Sequence, residues 1–264
     1  MADPMHQFEI HKVVDLAAYS FTLPGTSIVI DPSITNSTVS MLIAAGILIA
    51  FLGVVTAAPK VVPGRIQNVG EMVFGFIDDL ATQIIGHDGR KFFPYVFTIF
   101  LFVLAMNFLG LFVVFFTATS QLAVTATLGF MTILLVLIVG FTKSGFKFFK
   151  LFFPAGIPWP MYILITPIEL VSFLLRPITL ALRLFGNMLG GHVAMKVFAG
   201  FVVSLGGLAA GGGLGYLGIP GAALSLGGVV ALTSLEFLVA FLQAFVFAVL
   251  TCVYLNDAVH ADHH

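Results

Sequence analysis

The amino-acid sequence predicts an all-α, polytopic membrane protein, and three observations lead to this fold class. Hydrophobic residues make up 59% of the 264 residues and charged residues only 9%, against about 25% charged in an average soluble domain. Several apolar segments reach the roughly 20 residues that a helix needs to cross about 30 Å of hydrocarbon. No repeat of 20–50 residues and no soluble domain is visible. We expect a single membrane domain over residues 1–264, with about five membrane-embedded helices and one interfacial helix.

Three spanning helices are predicted at 39–58, 92–116 and 122–142, because each of these segments is apolar and free of charge. Residues 1–38 precede them as an N-terminal segment. Residues 66–88 differ, since acidic and apolar side chains alternate along them. Glu71, Asp78 and Asp79 fall on one helical face, and this amphipathic pattern predicts a helix that lies in the membrane interface.

Two longer apolar segments follow at 160–202 and 220–256, joined by a glycine-rich stretch. Forty helical residues extend about 60 Å, which is twice the hydrocarbon thickness. Breaks at Pro167, Pro177 or the glycines would accommodate this length, and so would a strong tilt. These two alternatives stay open from the pattern alone.

Basic residues predict the orientation. If the three spans alternate in direction, all of their flanking cations fall on one side: Lys60, Arg65, Arg90, Lys91, Lys143, Lys147 and Lys150. The positive-inside bias makes that side the cytoplasm, so the N-terminus lies outside and the C-terminus inside. No signal or transit peptide is recognisable, which favours a bacterial inner membrane, with the mitochondrial inner membrane as the alternative. The net charge of -1 argues against a nucleic-acid partner.

Ionisable residues within the first long segment are the main functional signal. Each costs roughly 2.5–3.5 kcal/mol at the middle of a membrane, so each is expected to face water, a partner or another polar group. Glu169, Arg176 and Arg183 are spaced by seven residues and form one helical stripe, which Asn187 joins four residues later. His192 and Lys196 follow.

The second long segment carries its own polar seam, because Glu236 and Gln243 are also seven residues apart. With the two segments antiparallel, Glu236 is expected at the level of His192, and Gln243 at the level of Arg183. Histidine and a partly buried glutamate can titrate near neutral pH, whereas arginine stays charged. The seams therefore predict a water path with an outer titratable pair, a central permanent cation and an inner carboxylate, Glu169.

Several motifs resemble the a subunit of F-type ATP synthases, in its mitochondrial and alphaproteobacterial-like form. They are HQFEI at 6–10, MNFLGL at 106–111, PIELVSFLLRPITLALR at 167–183, LRLFGNMLGGH at 182–192 and LQAFVFAVLTCVYL at 242–255. The resemblance covers roughly residues 6–256. It implies a proton-translocating stator subunit in which two aqueous half-channels serve the carboxylates of a rotating c-ring.

The resemblance also implies roles for individual residues. Arg183 would be the essential arginine that faces the ring, with Asn187 and Gln243 as its polar neighbours. His192 and Glu236 would belong to the outer half-channel. The glycine-rich turn at 205–221 is less typical of the family.

Glu169 would belong to the inner half-channel, and the two long segments would be nearly horizontal helices that form the proton path. For Arg176, which precedes Pro177, a role in the path and a role in helix pairing stay open. The implied partners are the c-ring, the peripheral-stalk b subunits, the rest of the complex and the lipid bilayer. No cofactor or metal is expected, and the chain lacks a G-x-x-x-x-G-K-[ST] loop, so it is not expected to bind ATP itself.

Other interpretations compete with these. Arg183 could pair with a lipid phosphate or an internal carboxylate, His192 could be structural, and Asn187 and Gln243 could only join helices. Asp257 and the residues after it are expected to form a solvated tail. A solute–proton symporter should show a paired internal repeat, which is not visible, and a haem-bearing subunit would need more intramembrane ligands than His192.

Overall fold

The computed structural model of the chain describes residues 8–15, 21–22, 29–30, 33–57, 60–112, 115–145, 148, 159–210, 216 and 218–260. Most of these residues are helical. The helices are α1 (Asn36–Ala57), α2 (Arg65–Ile85), α3 (Gly89–Leu111), α4 (Leu122–Ser144), α5 (Trp159–Ala210) and α6 (Gly218–Val259). All except α2 are long and apolar enough to cross a membrane, judged by length and composition. The predicted all-α polytopic class is confirmed.

Helix α3 ends at Leu111, five residues before the end predicted for that span. The chain then makes a 3₁₀ turn at Ala118–Ser120 and enters α4 at Leu122. Residues 112–116 are all apolar, so their composition gives no sign that the helix has stopped. The consequence is that a polar turn folds back against the core next to the end of α3.

Helix α2 is amphipathic, as the acidic and apolar pattern of residues 66–88 predicts. Ile77 is fully buried, whereas Glu71 and Asp79 are exposed. Gly70 lies on the buried side, where an added Cβ would come within 2.6 Å of the Val55 side chain of α1. The absence of a side chain at Gly70 therefore lets α1 and α2 approach closely. The placement of α2 in the interface stays a prediction.

Ion pairs join the turn between α2 and α3 to the end of α4. The Asp88 carboxylate accepts a hydrogen bond from Lys143 Nζ through one oxygen, and from Lys91 Nζ at 3.0 Å through the other. These two ammonium groups, Lys143 foremost, lower the pKa of Asp88 from 3.8 to about 2. Lys91 and Lys143, two of the basic residues from which the orientation is predicted, are thus paired with a carboxylate of the same chain.

The C-terminal half of α6 runs through the centre of the molecule. Its buried side chains recur every three or four residues, the spacing of one helical face, and they pack against α2, α3, α4 and the middle of α5. Many are small, which allows the close helix approach typical of membrane proteins. The buried residues of this stripe include Ala240, Ala244, Phe247, Ala248, Cys252, Leu255 and Ala258.

The N-terminal segment contains short strands that the sequence analysis did not predict. Strand β1 (Lys12–Val14) pairs antiparallel with β4 (Ile34–Thr35), and β2 (Phe21–Thr22) pairs with β3 (Val29–Ile30). Asn36, the first residue of α1, fastens the segment to the helix by accepting from the His11 amide at 3.3 Å and donating to the Glu9 carbonyl at 3.0 Å. Strands of two or three residues are too short to give a recognisable alternation.

Helices α5 and α6 are both unbroken, although α5 contains Pro167 and Pro177. Their 52 and 42 residues correspond to lengths of about 78 and 63 Å at 1.5 Å per residue. Neighbouring helices compensate for prolines inside membrane helices. Helix α4 packs closely on α5 at Pro177, since a Cβ on Gly129 would lie 2.8 Å from the Pro177 carbonyl oxygen. Of the two alternatives for these segments, the broken helix is wrong.

Candidate functional site

Helices α5 and α6 pack as an antiparallel hairpin, and the polar residues lie along the contact between them. We call the end near the 211–217 connection the loop end, and the end formed by the start of α5 and the end of α6 the open end. Gly218 lies against the Leu205 carbonyl at the loop end, and Arg176 contacts Asp257 toward the open end. The two predicted polar seams therefore face each other in one register.

At the loop end, the contact buries two titratable side chains. His192 on α5 is 9% exposed and Glu236 on α6 is 8% exposed. The Glu236 carboxylate lies directly on Gly191, where an added Cβ would sit 2.9 Å from its Cδ atom and would collide with Oε1. Only glycine at 191 leaves room for this carboxylate. The predicted outer pair, His192 and Glu236, is thus brought to one level of the hairpin.

Neither carboxylate oxygen of Glu236 has a hydrogen-bond partner among the described residues. Buried polar atoms in proteins are almost always bonded to protein or to water, and a buried carboxylate without a partner is costly. The geometry therefore calls for water or a proton at Glu236. This is the chemical requirement of a group that exchanges protons with a water-filled cavity.

Two polar side chains from outside the hairpin, Thr117 and Asn107, lie beside His192 and Glu236. We call these four residues the loop-end cluster. Thr117, in the turn after α3, places its Oγ1 atom 3.4 Å from Nε2 of His192. Asn107, in the last part of α3, is fully buried and donates from Nδ2 to the Ala240 carbonyl at 3.2 Å, one turn from Glu236. Both residues were missed by the sequence analysis. Asn107 is a polar residue within an apolar span, and that signal could have identified it.

The N-terminal segment covers the same cluster. The ring of Phe8 meets the His192 ring edge-on at a centroid distance of 6.1 Å, and Lys196 Nζ lies 5.8 Å from the centroid of Phe8. Gln121, just before α4, holds the segment by donating from Nε2 to the Phe8 carbonyl at 2.9 Å. An aromatic side chain thus partly closes the loop-end cluster from one side.

In the middle of the hairpin, a hydrogen bond links the two polar seams. Asn187 donates from Nδ2 to Oε1 of the buried Gln243 at 2.9 Å. Arg183, one turn before Asn187, is exposed, and within the described part of the chain its guanidinium has no hydrogen-bond or ion-pair partner. Gly186 and Gly190 lie on the same exposed strip, with open space where a Cβ would be. Arg183 therefore projects from a smooth surface that a second helix can approach.

Toward the open end, Arg176 on α5 forms an ion pair with Asp257 on α6. Arg176 Nη1 donates to Asp257 Oδ2 at 3.0 Å, and its guanidinium lies over the rings of Tyr254 at 4.8 Å and Phe173 at 5.4 Å. The expectation that Asp257 belongs to a solvated tail is wrong, because α6 continues to Val259 and carries this carboxylate into contact with α5. The structure thus supports a helix-pairing role for Arg176, while its role in a proton path stays a prediction.

Glu169 lies two turns further toward the open end and is partly buried. It lies one heptad before Arg176 on α5, but Arg176 turns to α6 whereas Arg183 faces outward. The stripe predicted from the spacing of seven residues is therefore divided between a helix contact and an exposed surface.

Comparison with known proteins gives one consistent family. Residues 38–256 match the family model described as ATP synthase A chain. A relative named ATP synthase subunit a from Hyphomonas neptunium is 50% identical over 262 residues, covering 99% of this chain and 98% of its own length. Subunits a of Rhizobium johnstonii, at 50% identity, and Rhizobium rhizogenes, at 51%, cover 100% and 99% of this chain, and 99% and 98% of their own lengths.

The matched range contains every candidate site residue from Glu169 to Gln243, together with all six helices except the first two residues of α1 and the last three of α6. On the family match and the full-length relatives at about half identity, the chain belongs to the ATP synthase A chain family.

Proposed function

We propose that this chain moves protons across a membrane in two steps separated by Arg183, and passes them to acidic groups on a neighbouring rotor of the ATP synthase complex. Membership of the ATP synthase A chain family supports a role in ATP synthesis and proton transport. The observation that carries the residue-level mechanism is the exposed guanidinium of Arg183, which has no ion-pair partner in the described part of the chain and lies next to the Asn187–Gln243 pair.

An arginine on an apolar, membrane-embedded surface, with no partner among the described residues, favours a counter-charge from a neighbouring subunit. At about 4 Å and an effective dielectric near 20, a carboxylate beside Arg183 gains around 4 kcal/mol. This gain lowers the pKa of that carboxyl group by about 3 units, which is enough to release a proton bound near neutral pH. The smooth strip at Gly186 and Gly190 fits a helix of a rotating c-ring that carries such a carboxylate.

The loop-end cluster fits the half-channel that delivers protons to the rotor. His192 and Glu236 are both able to titrate, both are buried, and the Glu236 oxygens require water or a proton. A proton taken up there reaches a ring carboxylate and neutralises it, so that the carboxyl group can turn into the lipid. We place this half-channel on the outer side of the membrane, in line with the positive-inside bias.

The open end fits the half-channel that releases protons. Glu169 is a carboxylate on that side, and Arg176, seven residues further along α5, forms an ion pair with Asp257. Because Arg183 stays charged, it blocks direct passage between the two half-channels, so that protons cross only when the ring turns. The energy available is about 2.3 kcal/mol per proton per 100 mV of membrane potential.

The unbroken lengths of α5 and α6 support strongly tilted helices that follow the ring, since about 78 and 63 Å exceed the hydrocarbon thickness by more than twofold. We place the protein in a bacterial inner membrane with the N-terminus outside and the C-terminus in the cytoplasm. Its partners in this proposal are the c-ring, the peripheral-stalk b subunits and the remaining ATP synthase.

The test is the Arg183→Ala variant in the assembled complex, reconstituted in lipid vesicles. We expect proton-driven ATP synthesis to vanish, because no cation remains to discharge the ring carboxylates, and Arg183→Lys to impair it, because the guanidinium fork is lost. Arg90→Ala removes an equally exposed arginine outside the hairpin and should retain synthesis. Unchanged synthesis in Arg183→Ala would end the proposal.

A further inference from the structure

We propose that Thr117 is a positioning residue for His192: its hydroxyl group holds the proton on Nε2 of the imidazole, so that Nδ1 is the nitrogen that takes up and releases the transported proton. This inference rests on the proposed function and adds a residue from outside the α5–α6 hairpin. It starts from one contact, the 3.4 Å between Thr117 Oγ1 and His192 Nε2.

The hydroxyl group of Thr117 has a single hydrogen, and this hydrogen is already used in a hydrogen bond to an acceptor other than His192. Thr117 Oγ1 donates to the Gly110 carbonyl at 3.2 Å. Gly110 lies in the last turn of α3, where carbonyl groups lack an amide partner within the helix. If Thr117 turned its hydrogen to His192, this buried carbonyl would lose the only donor that the described residues give it, which costs about 1–3 kcal/mol. The hydroxyl group therefore accepts, and Nε2 of His192 carries the hydrogen.

The local structure fixes Thr117 in this orientation. Its Cγ2 methyl occupies the space above Gly110, where an added Cβ would lie only 2.7 Å away. Ser120 donates from Oγ to the Thr117 carbonyl at 2.6 Å, and the Ser120 amide donates to the same carbonyl at 3.1 Å. The side chain and the backbone of Thr117 are thus both held, so the hydroxyl oxygen keeps its position relative to His192.

A fixed Nε2–H has a consequence for proton transfer. Neutral histidine has one nitrogen with a lone pair, and here that nitrogen is Nδ1. A proton binds the Nδ1 lone pair to form an imidazolium ion and leaves from the same atom. If one proton entered at Nδ1 and another left from Nε2, then Nε2 would have to give its proton to the hydroxyl oxygen of Thr117. The hydrogen of that hydroxyl group is bound to the Gly110 carbonyl. His192 then stores a proton at one atom.

Among the described residues, the charged and titratable groups around His192 come from three elements. On α5, Lys196 lies one turn away and contributes a positive charge. On α6, the Glu236 carboxylate packs on Gly191, the neighbour of His192. On the N-terminal segment, Phe8 contacts the imidazole ring, and the exposed Glu9 and His11 follow it, with 3.9 Å between their side chains. The turn that bears Thr117 contributes only uncharged groups.

The direct test is the tautomer of His192 in the assembled complex, measured by solid-state NMR with 15N-labelled histidine. The His192→Gln variant identifies the signal by its loss. We expect the Nε2–H form in the neutral state of the unmodified protein. A dominant Nδ1–H form in the unmodified protein would overturn the proposal, and it would leave the function proposed for Arg183 untouched.

Variants of Thr117 give the second test. Thr117→Val keeps the shape but removes the acceptor, so the neutral ring should become a mixture of tautomers, whereas Thr117→Ser should keep the Nε2–H form. Hydrogen bonds from a charged donor are stronger than those from a neutral one. Loss of this acceptor should therefore move the pH profile of proton-driven ATP synthesis to lower pH by about half a unit, with rescue by Thr117→Ser.

The matched control is Thr251→Val. Thr251 is a fully buried threonine of α6 whose hydroxyl group bonds to the Phe247 carbonyl of its own helix at 2.8 Å. Its valine variant should leave the pH profile of synthesis in place. A Thr117→Val profile that overlays both the unmodified protein and this control would overturn the positioning role, whereas loss of synthesis at every pH in the unmodified complex would contradict the proposed function itself.

Discussion

The loop end and the open end of the α5–α6 hairpin treat their ionisable side chains in opposite ways. At the loop end, Glu236 is buried and neither of its oxygens is bonded within the described residues, and His192 meets a neutral hydroxyl group. Toward the open end, Arg176 is bonded to Asp257 and covered by the ring of Tyr254.

This difference indicates different tasks. An ion pair of low exposure is held in one protonation state, because removing either charge leaves the other uncompensated. A buried titratable group with no opposite charge bonded to it can gain or lose a proton without breaking such a pair. The loop end is therefore suited to proton exchange, and the Arg176–Asp257 contact to holding the helices together. Arg183 belongs to neither group, since it is permanently charged and open to a neighbour.

The largest effect after Arg183 is expected from Gly191→Ala. The added methyl collides with Oε1 of Glu236, so the carboxylate must leave the position that it shares with His192. A displacement of about 1 Å at a reacting group can lower a rate by about a hundredfold, and we expect proton-driven ATP synthesis in vesicles to fall by about tenfold or more.

Gly200→Ala provides the control for this change. Gly200 also lies in α5 toward the loop end, but nothing lies within 4 Å of its added Cβ, so the same gain of a methyl should leave synthesis intact. If Gly191→Ala were as active as Gly200→Ala, the position of the Glu236 carboxylate would be irrelevant to proton uptake. That result would contradict the conclusion that the loop end of the hairpin is the end suited to proton exchange.

A smaller effect, on stability, is expected at the open end. Arg176 and Asp257 are 19% and 27% exposed, so the pair lies between the surface and the interior. Arg176→Gln or Asp257→Asn alone should lower the free energy of unfolding in detergent by about 1–2 kcal/mol, between the values for exposed and buried pairs. The double variant should lose less than the sum of both, because it leaves no single charge behind.

Proton-driven synthesis in the same double variant separates the two roles that are open for Arg176. If the pair only joins helices, synthesis should follow the amount of assembled complex. A loss of synthesis per assembled complex would place Arg176 in the release path, and the Arg176–Asp257 contact would then not be purely structural.

The sequence predicted the hairpin contact well because the contact repeats a simple spacing. Residues seven apart on each helix fall on one face, and two antiparallel seams then meet in register. The structure accordingly brings Asn187 to Gln243 and His192 to the level of Glu236. The length of the apolar segments likewise sufficed to predict five helices able to cross a membrane.

The remaining parts of the site depend on packing between distant segments. Thr117 is 75 residues from His192, and it reaches the imidazole only because α3 stops within an apolar run that gives no stop signal. Asp257 was expected to begin a solvated tail, but α6 continues to Val259 and Asp257 contacts Arg176, which lies 81 residues away in the sequence. Spacing within one helix cannot reveal a partner on another element.

The smallest effect concerns the ion pairs of Asp88 with Lys143 and Lys91. They lie outside the hairpin, at a more exposed site than the Arg176–Asp257 pair. The Asp88 pKa of about 2, below the ordinary 3.8, means that the folded state binds the proton less readily than the unfolded chain. The stabilisation is therefore complete above about pH 4 and is lost as the pH falls toward 2. The stability advantage of the unmodified protein over Asp88→Asn should shrink across that window, measured by unfolding in detergent between pH 5 and 2. Asp79→Asn, which changes an exposed carboxylate of α2, is the control variant for the same charge change. Parallel curves for the unmodified protein and Asp88→Asn would mean that Lys143 and Lys91 do not hold this carboxylate, and that charge pairing at this turn contributes nothing to the fold.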